Sequence, residues 1–196
     1  MTSTGPGEGK SFVCANLAAV YAATGLRVAL VDLDLRRPML AERLGLERSV
    51  GVTSVLLRRA SIEEALQPVN DDNFMLLSSG PLPPNPADVL STDALAEVLD
   101  ELANDFDIVI LDSPPAGMFA DARQLTSLVD GSIVVSRHRH TRKGPLADTV
   151  KGLRDVGGNV LGVILNRAPT KGQGDYDQYG YSTYQPSDRT AKRVKS

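Results

Sequence analysis

The seven residues Gly5-Pro6-Gly7-Glu8-Gly9-Lys10-Ser11 run straight into an apolar, helix-forming stretch from Phe12 to Thr24. A glycine-rich loop feeding a helix is a cradle for phosphate. Glycines adopt positive φ without penalty and let backbone N–H groups approach an anion. The first turn of the helix adds unpaired N–H donors and the positive end of its dipole. Lys10 would then lay a cation on the β- and γ-phosphates of a nucleotide, and the Ser11 hydroxyl would ligate Mg²⁺. The strict form of this loop wants glycine where Thr4 stands, and a plain turn ending in a helix would look similar locally.

Two further acidic elements follow in the order that phosphate chemistry needs. Val28-Ala-Leu-Val-Asp-Leu-Asp34 is an apolar strand that ends in two carboxylates one residue apart. If the strand continues, Asp32 and Asp34 point to the same side. Two like charges held together are costly unless a cation or a proton compensates. Mg²⁺ would supply that, leaving one carboxylate to act on a substrate hydroxyl. The bland alternative is that both acids cap the next helix. The third element, Ile108-Val-Ile-Leu-Asp112, is a strand ending in a single acid placed to reach the metal through a bound water. On the residues alone, Lys10, Ser11, Asp32, Asp34 and Asp112 are the candidates, and which acid holds the metal and which acts on the hydroxyl stays open.

The elements that must position these residues alternate along the chain. Arg27–Leu33, Phe74–Leu77, Ile108–Leu111, Ser132–Val135 and Val160–Leu165 read as strands buried on both faces. Helices are expected over 11–24, 37–44, 52–58, 61–67, 92–104, 121–129 and 142–156, and Asn85-Pro86 reads as a helix cap followed by a first-turn proline. This alternation predicts an α/β fold, a doubly wound and mostly parallel sheet with helices on both faces. Ligands in such folds sit beyond the carboxyl ends of the strands, where the acids lie. Only Met1, Thr2 and Ser3 precede the loop, so the first core strand is expected to be cut short, with lost ladder bonds and lost stability.

The 196 residues, 42% apolar and 23% charged, suit one soluble domain. A net charge of −3 argues against nucleic-acid binding. The lone Cys14 leaves no internal disulfide and suggests a reducing, cytoplasmic setting. No uninterrupted apolar run is long enough to span a bilayer. The composition changes at about residue 168. From Pro169 to Arg193 there is no Val, Ile, Leu, Met or Phe, yet four of the five tyrosines are there: Tyr176, Tyr179, Tyr181 and Tyr184. The expected organisation is a nucleotide-binding domain over 1–168 and a mobile tyrosine-rich tail over 169–196. The basic run Arg137–Lys143 reads as a solvated loop, with a phosphate-greeting role as the alternative.

Taken together, Thr2-Ser3, Pro6–Ser11, Phe12–Ala19, Val31–Pro38, Gly80–Asp88, Ile110–Pro115, Asp121-Ala122 and Gly162–Arg167 resemble the bacterial tyrosine kinases of capsule and exopolysaccharide synthesis, the Wzc and CpsD/CapB type. The resemblance runs from Thr2 to about Arg167. It implies a P-loop NTPase fold and an ATP- and Mg²⁺-dependent autokinase that phosphorylates its C-terminal tyrosines between neighbouring subunits. The nucleotide contacts it implies are Gly5, Pro6, Gly7, Glu8, Gly9, Lys10, Ser11 and Phe12, with Asn166 and Arg167 on the base side. Asn166 would read adenine, or else simply end a strand. The resemblance implies Lys10, Asp32 and Asp34 as catalytic residues and Ser11, Asp34 and Asp112 as holders of Mg²⁺, with Asp32 orienting or deprotonating the tyrosine hydroxyl. The implied partners are the cytoplasmic tail of a membrane polysaccharide co-polymerase and further copies of the chain, at the inner face of the plasma membrane. The arginine-containing assembly helix usual in that family is not in this sequence. Two other readings share the motifs: a ParA/MinD-type switch ATPase and a non-catalytic nucleotide-binding regulator. The switch ATPases carry a signature lysine where Gly5 stands and lack a tyrosine cluster.

Overall fold

A computed structural model describes residues 1–69, 73–90 and 93–169. The chain builds β1 (Thr2–Ser3), α1 (Lys10–Ala23), β2 (Val28–Asp32), α2 (Leu40–Leu44), α3 (Val52–Leu56), α4 (Ile62–Ala65), β3 (Leu66–Pro68) and β4 (Phe74–Leu77). It continues through α5 (Pro86–Leu90), α6 (Asp93–Asp105), β5 (Ile108–Asp112), α7 (Ala120–Gln124), a 3₁₀ turn (Leu125–Leu128), β6 (Ser132–Arg137), α8 (Lys143–Asp155) and β7 (Val160–Asn166). All five expected strands are present, but β7 is not buried on both faces as expected: it leaves Leu161, Val163 and Leu165 exposed. Pro86 opens α5, as its position after Asn85 predicts.

Every residue of β2 is buried, and its side chains divide by parity between two cores. Val28 and Leu30 join Cys14 and Ala18 of α1, Leu40 of α2, Phe74, Leu76 and Ile110. Ala29, Val31 and Leu33 join α3, α4 and α6 through Val52, Ile62, Val98 and Leu102. Strands covered on both faces need apolar residues at every position, which is why they read as continuous runs rather than alternations. A third, smaller core sets Leu153 of α8 against Val134 and Ala122.

The pairing is parallel except for the three-residue edge strand β3, which runs antiparallel to β4. The ladders form two groups, β3-β4-β2-β5 and β1-β6-β7. β1 joins them. Thr2 and Ser3 pair with Val134 and Val135 of β6. On its other side, the Met1 amino group donates to the Leu111 carbonyl, and Ser113 N–H donates to the Met1 carbonyl at 3.1 Å. The first core strand is therefore present as a stub rather than missing. A slot of about 470 Å³ separates β5 from β6, with Leu17 and Tyr21 of α1 on one side and Leu99 and Ala103 of α6 on the other. Burial pushes the Met1 ammonium below its ordinary pKa at the mouth of this slot. Among the described residues no helix is long and apolar enough to cross a membrane.

Two expectations are corrected. The 61–67 stretch is helical only through Ala65. Ser61 and Glu64 form a reciprocal cap at its start, and the chain then leaves the helix to form β3. The 121–129 stretch breaks into a short α-helix and a 3₁₀ turn.

Candidate active site

The loop after β1 turns at two left-handed glycines, Gly7 (φ +73°) and Gly9 (φ +91°), the conformation that the sequence requires of them. Gly9 is the N-cap of α1, and no side chain caps that helix. Its first-turn N–H groups are thus left for an incoming anion. A Cβ on Gly9 would lie 2.0 Å from Asn166 Nδ2, so the loop packs there with no room to spare.

The loop is braced from behind. Glu8 is buried and its carboxylate turns away from the pocket, accepting from Thr4 N–H at 2.8 Å and from the Thr141 hydroxyl. Its backbone carbonyl accepts from Asn166 Nδ2 at 2.9 Å, while Asn166 Oδ1 accepts from Arg167 N–H at 2.8 Å. Both ends of the Asn166 amide are thereby used within the protein. Asn166 buttresses the loop from the end of β7, and Arg167, not Asn166, lines the pocket. Thr141 lies in the basic 137–143 turn and also accepts from Arg137 N–H at 2.8 Å. Sequence reasoning missed this brace. A lone threonine in a basic loop carries no signal, because its partner lies 133 positions away.

Lys10, Asp34 and Asp112 meet at the base of the loop. Lys10 Nζ donates to Asp112 Oδ1 and lies 3.4 Å from Asp34 Oδ2 and 3.4 Å from Ser11 Oγ. All three charged side chains are buried. Burial pulls the Lys10 pKa down, but the charges of Asp112 and Asp34 outweigh it and hold the ammonium above its ordinary value. Cys14 Sγ sits 3.5 Å from the same Asp112 oxygen, and burial keeps its thiol protonated. The other oxygen, Asp112 Oδ2, is buried without a hydrogen-bond partner. A buried carboxylate oxygen left unpaired is expensive, and a cation or metal-bound water would satisfy it.

Asp32 is placed differently. Oδ1 accepts from Asp34 N–H at 3.2 Å and Oδ2 from Leu40 N–H at 3.1 Å, so this acid does anchor the turn into α2. Burial, then the charge of Asp112, push its carboxyl up to about 7. Asp34 lines the pocket, and its Oδ1 also accepts from Arg37 N–H at 3.1 Å. The helix-capping and chemical readings of these acids are thus not exclusive.

The pocket itself holds about 430 Å³ and lies beyond the carboxyl ends of β1, β2 and β5. Gly5, Pro6, Gly7, Glu8, Gly9, Lys10, Ser11 and Phe12 form one side. Arg36, Arg37, Met39 and Arg43 form another, and Pro115, Met118 and Phe119 a third. The Arg36 guanidinium stacks 4.1 Å from the Phe119 ring centroid and links the last two walls. The Met118–Phe119 wall had no motif to announce it. Among the described residues no three His, Cys, Asp or Glu side chains gather into a metal-holding set. A divalent ion would therefore draw part of its shell from phosphate and water, as Mg²⁺ does readily. The unpaired Asp112 oxygen, the adjacent Asp34 and the Ser11 hydroxyl fit that role. Tyr176, Tyr179, Tyr181 and Tyr184 lie outside the described residues.

Comparison with known proteins agrees with this geometry. A family model described as ParA, NUBPL iron-transfer P-loop NTPase, matches residues 1–184. The tyrosine-protein kinase YwqD of Bacillus subtilis is 41% identical over 180 residues, which cover 92% of this chain and 76% of that protein. The tyrosine-protein kinase wzc of Salmonella typhimurium is 32% identical over 94% of this chain, which spans 26% of that longer protein. The crystal structure of the chimerical protein CapA2B2 superposes with a TM-score of 0.83 at 31% identity, over 86% of this chain and 75% of that one. The chain belongs to the bacterial tyrosine-protein kinases and, with them, to the ParA-type P-loop NTPases.

Proposed function

We propose that the chain is an ATP-dependent autokinase that phosphorylates Tyr176, Tyr179, Tyr181 and Tyr184 on neighbouring copies of itself. In this reading it regulates capsular or exopolysaccharide polymerisation and export, recruited to the membrane by the cytoplasmic tail of a polysaccharide co-polymerase. The observation that carries it is the buried meeting of Lys10, Asp34 and Asp112 under an uncapped helix start, with one Asp112 oxygen still unpaired.

The loop N–H groups and Lys10 would hold the β- and γ-phosphates, with Arg167 on the base side. Ser11, Asp34 and Asp112 would hold Mg²⁺, which when bound neutralises charge on the phosphoryl oxygens. The tyrosine oxygen attacks the γ-phosphorus as the bond to the β,γ-bridging oxygen breaks, and ADP leaves. The phenolic proton passes to Asp32, whose pKa near neutrality suits a general base. Four added phosphates, each about −1.5 to −2, would set the tails of adjacent copies against one another. Tail phosphorylation would thus loosen the assembly.

The test is incubation with radiolabelled ATP, with and without a basic cytoplasmic peptide from a candidate membrane partner. Label on Tyr176–Tyr184 that vanishes in Lys10→Met supports the reading. Free phosphate without label would instead mean a switch ATPase, and neither would mean a regulatory scaffold.

A further inference from the structure

The pocket carries cations to which the nucleotide reading gives no role. Its lining includes Lys10, Arg36, Arg37, Arg43 and Arg167 against two carboxylates, Glu8 and Asp34. Glu8 is turned to Thr4 and Thr141, and Asp34 is committed to Lys10. Among the described residues neither Arg37 nor Arg43 forms an ion pair. The cations also divide in space. Lys10 and Arg167 flank the phosphate loop. Arg36, Arg37 and Arg43 come from the turn between β2 and α2 and from α2 itself, and share the lining with Met118 and Phe119.

We propose that the rim between β2 and α2 is an acceptor-peptide subsite that selects tyrosines flanked by aspartate or glutamate, with Arg37 and Arg43 taking the flanking acids. This rests on the tyrosine-transfer reading of the same pocket. The two walls suit such a substrate. Met118 is 58% exposed and, with Phe119, offers an apolar surface for a phenol ring. The Arg36 guanidinium stacks on Phe119 and so joins that surface to the arginine side. Arg37 N–H donates to Asp34 Oδ1 at 3.1 Å, and both residues line the pocket. Arginine is the side chain best shaped to hold a carboxylate by two parallel bonds. The chain's own tail contains one fitting acceptor. Asp175 and Asp177 bracket Tyr176, whereas Tyr179, Tyr181 and Tyr184 have Gln, Gly, Ser or Thr as neighbours. Tyr176 is therefore phosphorylated first.

The experiment compares kcat/KM of the full chain for two peptides. One reproduces residues 172–178, and the other has both aspartates replaced by asparagine. Wild type should prefer the acidic peptide about fivefold, and the Arg37→Gln/Arg43→Gln double variant less than about twofold, the scale of one or two exposed charge pairs. Arg43→Glu should shift the preference toward a lysine-flanked peptide. Affinity for a fluorescent ATP analogue serves as the check that each variant is folded. Equal rates in wild type, or an undiminished preference in the double variant, would overturn the subsite. A binding arm separates this failure from that of the kinase reading. It measures fluorescence anisotropy of the acidic peptide with Tyr176→Phe on the nucleotide-loaded chain. Arginine-dependent binding without any transfer would keep the subsite and sink tyrosine transfer. Transfer without charge preference would do the reverse, and neither binding nor transfer would sink both.

Discussion

At Asp32, burial and the neighbouring charge of Asp112 oppose ionisation, while the two backbone N–H groups it accepts favour it. Burial prevails. The folded chain holds this proton up to about pH 7, whereas the unfolded chain releases it near 3.8. A raised pKa of this kind contributes stability below the unfolded value that is lost as pH rises through the folded one. Without nucleotide, wild type should therefore lose stability relative to Asp32→Asn between roughly pH 4 and pH 8, by at most about 4 kcal/mol. The slope is the readout, because asparagine has one acceptor oxygen for the two N–H groups that aspartate serves. Urea unfolding of both proteins across that range decides it, and parallel profiles would refute it. The sequence revealed that Asp32 and Asp34 form a pair. Their division of labour became visible only with the turn into α2, which brings Leu40 N–H onto Asp32.

Among the elements, the phosphate loop depends most on a single backbone geometry. Gly9→Ala would force φ +91° on a residue with a Cβ and drive that carbon into the Asn166 amide. The backbone conformation alone costs about 1–3 kcal/mol. Displacing Asn166 also unties the loop from β7. We expect both a lower melting temperature and at least a tenfold loss of nucleotide affinity, measured by thermal unfolding with and without an ATP analogue. Loss of stability with affinity intact would show that the Asn166 brace does not shape the cradle. Much at this scale was legible in the sequence. β2, β4, β5, β6 and β7 announce themselves as apolar runs, although β7 leaves Leu161, Val163 and Leu165 exposed. β3 did not. Its three residues, Leu66-Gln67-Pro68, sit at a sheet edge and follow a well-capped helical turn, so local propensity pointed to helix while pairing with β4 decided for strand. The Glu8–Thr141 and Asn166 braces were hidden for a related reason. Contacts between distant loops leave no periodicity to read.

For the whole molecule, the apolar slot between β5 and β6 is the feature to test. Thr2 and Ser3 pair with β6, but β5 and β6 run on below them without a strand between. The slot is lined by Leu99, Ile110, Leu111, Ile133 and Leu161, which an apolar strand would cover. Extending the chain before Met1 by roughly five β-forming apolar residues should raise Tm by about 5 °C or more, since a 1 kcal/mol gain moves a chain of this size by about 2–4 °C. An extension of the same length made of glycine and serine should not. Equal melting of the two would mean that the slot closes without help.

The seam has one more effect. The acids of the site, Asp34 and Asp112, belong to the half built on β2 and β5, Arg167 belongs to the half built on β6 and β7, and the loop hangs from the stub that joins them. A triphosphate seated there would act as a rivet through both plates. Calorimetry should then record two separable meltings for the empty protein and a single cooperative one once the rivet is in place.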